Sequence, residues 1–210
     1  SFVAWRIREF YGRDAKIVHP PVRLPEMQAR ADTSRGDYFV TASRLVPYKR
    51  IDLLIEATRL TGDRLVVFGA GPDLSRLEAL AGSHVELRGH RPTAEINATI
   101  SGARAFLTAA KEDFGIAPVE ALAMGTPVIA FGASGSADIV TPDTGVLVDT
   151  QSAAAFAEAM TAFKARSNPY RRDVLRSRAE TFSKQHFMRA FHEEVERVVK
   201  QQGARRARLG

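Results

Sequence analysis

Short apolar runs recur along the chain at residues 38–42, 64–68, 85–87, 105–108, 127–131 and 146–148. Between them lie helix-like segments at 50–60, 73–80, 93–101, 117–124 and 134–140. Strand and helix in repeated alternation form βαβ units, which predicts an α/β fold built on a Rossmann-like, doubly wound parallel sheet. No internal repeat or low-complexity tract interrupts the pattern. Residues 24–36 are polar and aperiodic and read as a surface loop or hinge-side linker. Beyond the last strand, 183–201 sets Phe187, Phe191, Val195, Val198 and Val199 on one apolar stripe of a helix. The 210 residues suit one α/β domain with a terminal extension. The expected division is 1–36 for an opening helix, strand and linker, 37–166 for the Rossmann-like domain, and 167–210 for a helical extension with a basic tail.

The densest chemistry follows the run at 105–108, in Glu112-Asp113-Phe114-Gly115-Ile116-Ala117-Pro118-Val119-Glu120. Pro118 suits a first helical turn, and Gly125 before Pro127 supplies a stop. The helix therefore starts at the carboxyl edge of a parallel sheet, where ligands bind in such folds. Backbone N–H groups around Phe114, Gly115 and Ile116, with the helix dipole, attract phosphate or hydroxyl oxygens, and Gly115 permits close approach. Glu112 sits in the mouth of the loop, and Glu120 lies deeper on the helix. Two ionised carboxylates at different depths can each accept from a pair of vicinal hydroxyls, one on a sugar ring and one on a ribose. Taken singly, the two read as a solvated loop residue and a helix residue satisfied by a nearby arginine. The nine-residue pattern as a whole points to a sugar-nucleotide site.

A second constellation, Ser43-Arg44-Leu45-Val46-Pro47-Tyr48-Lys49, follows the run at 38–42 and leads into the amphipathic segment at 50–60. Arg44 and Lys49, in a loop that opens a helix, form a cationic clamp suited to a diphosphate, the arginine through its fork and the lysine as a point charge. Two surface cations on a basic chain are the plainer reading, more so for Lys49 beside Arg50 than for Arg44 directly after a strand.

With both motifs present, the chain resembles the retaining glycosyltransferases with two Rossmann-like domains, the GT-B fold, in the family 4-like group 1 that includes bacterial mannosyl- and glucosyltransferases. The resemblance runs from Ile17-Val18-His19-Pro20-Pro21-Val22, similar to the strand leading into the second domain, to about Arg166. It implies that the chain is the C-terminal half of a GT-B fold and binds the nucleotide-sugar donor. Arg44 and Lys49 match the diphosphate-binding pair, Glu112 the carboxylate that holds the donor sugar, and Glu120 the one that holds the ribose. The amides of Phe114, Gly115 and Ile116 match those beside the sugar and distal phosphate. Arg44, Lys49 and Glu112 are thus the expected catalytic residues, with retention at the anomeric carbon, no cofactor and no obligatory metal. The wording at 43–51 and 112–119 is most similar to members that use GDP-mannose, with a UDP-sugar as the other donor; the acceptor is a glycan or lipid, held through a missing N-terminal domain. Ser1-Phe2-Val3-Ala4-Trp5-Arg6 opens without Met inside a helix-like segment, so the chain reads as a fragment, a processed chain or an expressed domain, inactive or nearly so alone. The non-enzyme alternative is a sugar-nucleotide-binding module with a regulatory or scaffolding role.

Two glycine loops compete for attention. Gly69-Ala70-Gly71-Pro72 follows a strand, but the third glycine of a dinucleotide fingerprint falls on Leu74, and a tight turn beside the donor site is preferred. Phe131-Gly132-Ala133-Ser134-Gly135-Ser136 reads as a sugar-pocket lining or a short connection. Glu95 is a candidate for base recognition, though a first-turn glutamate is also ordinary helix chemistry.

Composition narrows the setting. With no Cys there is no disulfide framework, and the five His lack metal-ligand spacing. No apolar run approaches a membrane span and the start does not resemble a secretory signal, so the expected place is the cytoplasm, extending to the inner membrane surface. A formal charge of +6 and a pI near 10.0 favour anionic partners: nucleotide sugars and anionic lipid surfaces, which leaves peripheral membrane association open to the intact enzyme. The basic tail lacks aromatic interleaving, which argues against nucleic acid.

Overall fold

The computed structural model describes residues 1–24, 35–166 and 170–207, with side chains through 201. Six parallel strands, β1 (Tyr38–Ala42), β2 (Arg64–Phe68), β3 (Val85–Gly89), β4 (Ala105–Thr108), β5 (Val128–Phe131) and β6 (Gly145–Val148), form one sheet in the order β3-β2-β1-β4-β5-β6. The helices are α1 (Phe2–Tyr11), α2 (Ile51–Thr61), α3 (Leu74–Leu80), α4 (Thr93–Gly102), α5 (Ile116–Ala123), α6 (Ala153–Ala165), α7 (Arg172–Glu180) and α8 (Lys184–Ala207). Strand order reverses between β1 and β4. The carboxyl ends of those two strands therefore flank the crevice where a doubly wound sheet binds its ligands.

Each strand buries alternate residues on opposite faces, as a sheet covered on both sides requires. Val40, Val66, Phe106 and Val128 face α5 and α7, meeting Val119, Leu122, Leu175 and Ala179. Phe39, Leu65, Leu107 and Ile129 face α2, α3 and α6, meeting Leu54, Leu77, Phe156 and Met160. The buried Arg172 of α7 donates to the carbonyls of Ser101, Met124 and Gly125 at 3.3, 3.4 and 3.3 Å. One guanidinium thus satisfies the carboxyl ends of α4 and α5 together, where a cation is favoured by the unpaired carbonyls and the helix dipole.

The six strands lie where the apolar runs place them. Two expected elements take another form. The expected helix at 134–140 is a 3₁₀ turn, Gly135–Asp138, capped by the Ser134 hydroxyl, with the backbone of Asp113 and Phe114 close beside Gly135. The expected leading strand at 17–22 forms no sheet strand; Val22 makes a bridge to Ser183 and donates to the Phe182 carbonyl at 2.9 Å, tying the segment to the α7–α8 turn. Residues 25–34 of the expected linker and 167–169 of the expected extension lie outside the described residues, while Arg35 donates to Gly125 and Tyr170 carbonyls at 3.2 and 2.7 Å. The stripe on α8 is exposed at Phe191, Val195, Val198 and Val199.

Candidate functional site

The loop after β1 is fixed by its neighbour after β2. Ser43 and Leu45 donate backbone N–H groups to the carbonyls of Phe68 and Ala70 at 3.1 and 3.0 Å, and the Leu45 carbonyl accepts from Asp73 at 3.0 Å. The fit leaves no space for side chains at the glycines: a Cβ on Gly69 would lie 1.8 Å from the Ser43 carbonyl oxygen, and one on Gly71 would lie 2.1 Å from that of Leu45. Gly69-Ala70-Gly71 is therefore a brace for the segment carrying Arg44. Arg44 is exposed between two anchored residues, and its guanidinium has no hydrogen-bond or ion-pair partner among the described residues. Lys49 ends the 3₁₀ turn Pro47–Lys49, and Arg50 turns into α2 with left-handed backbone (φ 53°, ψ 42°).

The loop after β4 is fixed from the other side. Gly135 donates its N–H to the Glu112 carbonyl at 2.7 Å, and the side chain of Gln151 donates to the Ala109 carbonyl at 2.7 Å. Phe114 packs between His19 and Phe182, with ring centroids 5.6 and 5.4 Å away. Gly115 then takes φ 107°, which an L side chain rarely adopts, and α5 starts at Ile116 with Pro118 in its first turn. No side chain caps α5. Its first amides therefore lack a side-chain acceptor, an arrangement that suits an anion at the helix start.

Between the loops lies a cleft of about 620 Å³ lined by Lys49, Glu112, Phe114, Gly115, Ile116 and Glu120. The structure thus brings together every expected site residue except Arg44, which stands outside the lining. It remains close enough that its charge acts on Lys49. Burial first, and then Arg44, lower the pKa of the Lys49 ammonium, which is in direct ion pair with the Glu112 carboxylate. Glu120 is half-buried, its carboxylate has no hydrogen-bond or ion-pair partner among the described residues, and burial pushes its pKa above the usual range. A desolvated, unpartnered carboxylate in a cleft wall is a mark of a binding site.

Sequence reasoning missed several lining and positioning residues. Tyr48 and Lys111 line the cleft, and the Lys49 ammonium sits 5.4 Å from the Tyr48 ring centroid. Asp113 lines it too and pairs with Arg6 of α1 at 2.9 Å. A glycine after a strand beside each motif was the available signal for Gly69, Gly71 and Gly135, but which loop each abuts depends on strand order. Glu95 falls in the first turn of α4, pairs with Arg91 at 3.6 Å, and is not part of the cleft lining. Among the described residues no group of three or more His, Cys, Asp or Glu is placed to hold a metal ion.

The profile of the family described as Glycosyl transferases group 1 matches residues 25–182, spanning both loops and the whole sheet. The chain belongs to this family. Among curated relatives of this group 1 domain is a GDP-mannose-dependent alpha-(1-6)-phosphatidylinositol dimannoside mannosyltransferase of Mycobacterium tuberculosis, 32% identical over 180 residues, covering 82% of this chain and 47% of the relative. Another is a UDP-N-acetylglucosamine–peptide N-acetylglucosaminyltransferase GtfA subunit of Streptococcus parasanguinis, 34% identical over 128 residues, covering 55% of this chain and 25% of the relative. The chain spans about half the length of the first of these or less. Among solved structures, sucrose-phosphate synthase of Thermosynechococcus elongatus superposes with TM-score 0.78 at 22% identity, covering 95% of this chain and 57% of that one. Pneumococcal GtfA, solved with UDP and GlcNAc, superposes with TM-score 0.70 at 23% identity, covering 94% and 43%. The group 1 domain thus has the Rossmann-like fold found in GT-B glycosyltransferases.

Proposed function

We propose that this chain is the donor-binding domain of a retaining hexosyltransferase, taking a nucleoside-diphosphate sugar and passing the hexose to a glycan or lipid acceptor. The observation that carries the reading is the cleft at the strand-order reversal, where Lys49, Glu112, the start of α5 and Glu120 face one volume. GDP-mannose is the preferred donor, because the relative matched over 82% of the chain is described as GDP-mannose-dependent. Relatives described as UDP-N-acetylglucosamine transferases keep a UDP-sugar as the second choice.

Departure of a nucleoside diphosphate from an anomeric carbon builds negative charge on the distal phosphate and positive character on the sugar. Arg44, Lys49 and the free amides of α5 stabilise the first in this reading, a preorganised electrostatic role. Glu112 orients the sugar, and Glu120 accepts from the ribose hydroxyls. Neither glutamate needs to act as a nucleophile. Since the chain spans about half of its mannosyltransferase relative, acceptor recognition and turnover are assigned to the intact enzyme, with nucleotide binding retained here. The intact enzyme is placed in the cytoplasm, at the membrane surface when its acceptor is a lipid; among the described residues no helix is long and apolar enough to cross a membrane.

Calorimetric titration with GDP, GDP-mannose, UDP and UDP-glucose tests the reading. Base-selective binding that Arg44→Ala and Glu120→Ala both weaken is expected. Binding by none of the four, or binding indifferent to both substitutions, overturns it.

A further inference from the structure

Lys49 and Glu112 belong to opposite walls of the cleft, the β1 loop and the β4 loop, yet they are joined to each other. Both side chains are largely shielded, with 18% and 20% of their surface exposed. In the proposed donor complex their partners differ: Lys49 serves the diphosphate and Glu112 serves the sugar. In the free chain each group therefore takes up part of the other's charge and hydrogen-bonding capacity, and the ion pair competes with both roles.

Resting on the donor-site reading, we propose that the Lys49–Glu112 pair is a latch across the cleft that an intact nucleotide sugar opens fully and a spent nucleoside diphosphate does not. The asymmetry comes from what replaces each lost partner. A diphosphate draws Lys49 away and offers it an equal or better counter-charge. Glu112 then stands in a shielded position with no cation and with phosphate charge nearby, an unfavourable state for a carboxylate. Sugar hydroxyls donating to Glu112 remove that deficit, while the bare nucleotide leaves it in place. Product affinity is thereby lowered relative to donor affinity. An enzyme gains from this, because tight product binding slows turnover without helping the chemical step.

Replacing the carboxylate by its amide separates the two halves of this account. Glu112→Gln keeps the size of the side chain and its ability to accept from a hydroxyl but holds Lys49 with no charge. Titrated with GDP and UDP, this variant is expected to bind its preferred nucleoside diphosphate about fivefold more tightly than the native chain, the effect of a partly exposed ion pair released from competition. Its preference for the sugar-bearing nucleotide over the bare one falls by at least the same factor. Arg44→Ala, titrated in parallel, reports on the site itself: diphosphate binding that it weakens, but that Glu112→Gln leaves unchanged or weakened, overturns the latch alone. No nucleotide binding by the native chain or by Glu112→Gln overturns the donor-site reading and the latch together. A direct check on the pair is the ¹⁵N signal of the Lys49 ammonium in the free chain. Slow proton exchange that becomes fast in Glu112→Gln supports the latch, and identical exchange in the two proteins overturns it.

Discussion

The loops after β1 and β4 face each other across the cleft, and they are built on one plan with opposite cargo. The β1 loop carries cations and is tied to the loop after β2, its neighbour on one side of the sheet. The β4 loop carries carboxylates and is tied to the loop after β5, its neighbour on the other. Each is anchored on the side away from the reversal in strand order, and the cleft lies between them. In both, glycine performs the tying: Gly69 and Gly71 against Ser43 and Leu45, Gly135 against Asp113 and Phe114. Because the backbone fixes position, the side chains are not needed to hold either loop in place. The loops differ in thoroughness. The β1 loop has three backbone hydrogen bonds to its brace; the β4 loop has one from Gly135, helped by Gln151 and the aromatic contacts of Phe114.

The largest effects should come from breaking the braces. In Gly71→Ala the new Cβ meets the Leu45 backbone at 2.1 Å, which no rotamer change relieves. A loss of about 3 kcal/mol of unfolding free energy is expected, measured by urea titration, with diphosphate binding lost alongside. Gly135→Ala places its Cβ 2.3 Å from the Asp113 carbonyl oxygen and 2.4 Å from the Phe114 Cα. About 2 kcal/mol is expected there, and the functional loss should fall on the sugar-bearing nucleotide more than on the bare diphosphate. Equal loss of both ligands in both variants would mean that the loops do not divide the donor as their charges suggest.

Arg44→Ala comes next and should separate binding from folding. Arg44 touches no partner in the free chain, so stability should change by less than about 0.5 kcal/mol. A charge-assisted bond to phosphate is worth about 1.5–3 kcal/mol, so affinity for the diphosphate should fall by roughly ten- to a hundredfold. Calorimetry and thermal melting on the same sample check both.

How much of this could be read from the chain follows the same division. The strands and helices were legible because apolar runs and helix signals are local. Lys49, Glu112 and Glu120, which line one cleft, could be picked out because their spacing within each motif is local too; Arg44, picked out on the same ground, lies outside the lining. That Gly69 and Gly71 support Arg44, and Gly135 supports Glu112, was not: those contacts follow from β1 lying beside β2, and β4 beside β5. The turn at Gly135–Asp138 was expected as a longer helix, and its packing against the backbone of a loop more than twenty residues earlier was likewise out of sight. The Lys49–Glu112 pair was equally hidden, although both partners had been singled out, because it joins two motifs across the sheet reversal.

Glu120 gives a smaller effect with a definite sign. Its folded-state pKa is raised by burial, so the folded chain holds the proton more tightly than the unfolded chain does. Stability from this group is full below the unfolded pKa and is lost as pH rises through the folded value. At neutral pH the ionised carboxylate is therefore a destabilising load, and Glu120→Gln should melt at a higher temperature than the native chain. That advantage should vanish as pH falls below the ordinary glutamate range. Nucleotide binding should move the opposite way, weaker in the variant, and weaker in the native chain as acid protonates Glu120. A variant that is less stable at neutral pH would mean that Glu120 has a favourable partner in the free protein.

The smallest effect tests how the β1 loop hands over to its helix. Arg50 is the one non-glycine residue with positive φ among the described residues, and it directly follows Lys49. Left-handed backbone disfavours an L side chain by roughly 1–2 kcal/mol, and here Arg50 recovers part of that through Asp52, its guanidinium donating at 3.2 and 3.3 Å. Arg50→Gly relieves the strain but loses the ion pair and frees the unfolded chain, so its net change should stay within about 1 kcal/mol. Arg50→Ala loses the ion pair and keeps the strain. Glycine should therefore be the more stable of the two variants by about 1 kcal/mol, while both leave diphosphate affinity near native. If alanine proves as stable as glycine, the turn at Arg50 has relaxed out of the left-handed region. Lys49 would then no longer be aimed by the backbone in the way that Arg44 is, and the β1 loop would be rigid at one cation only.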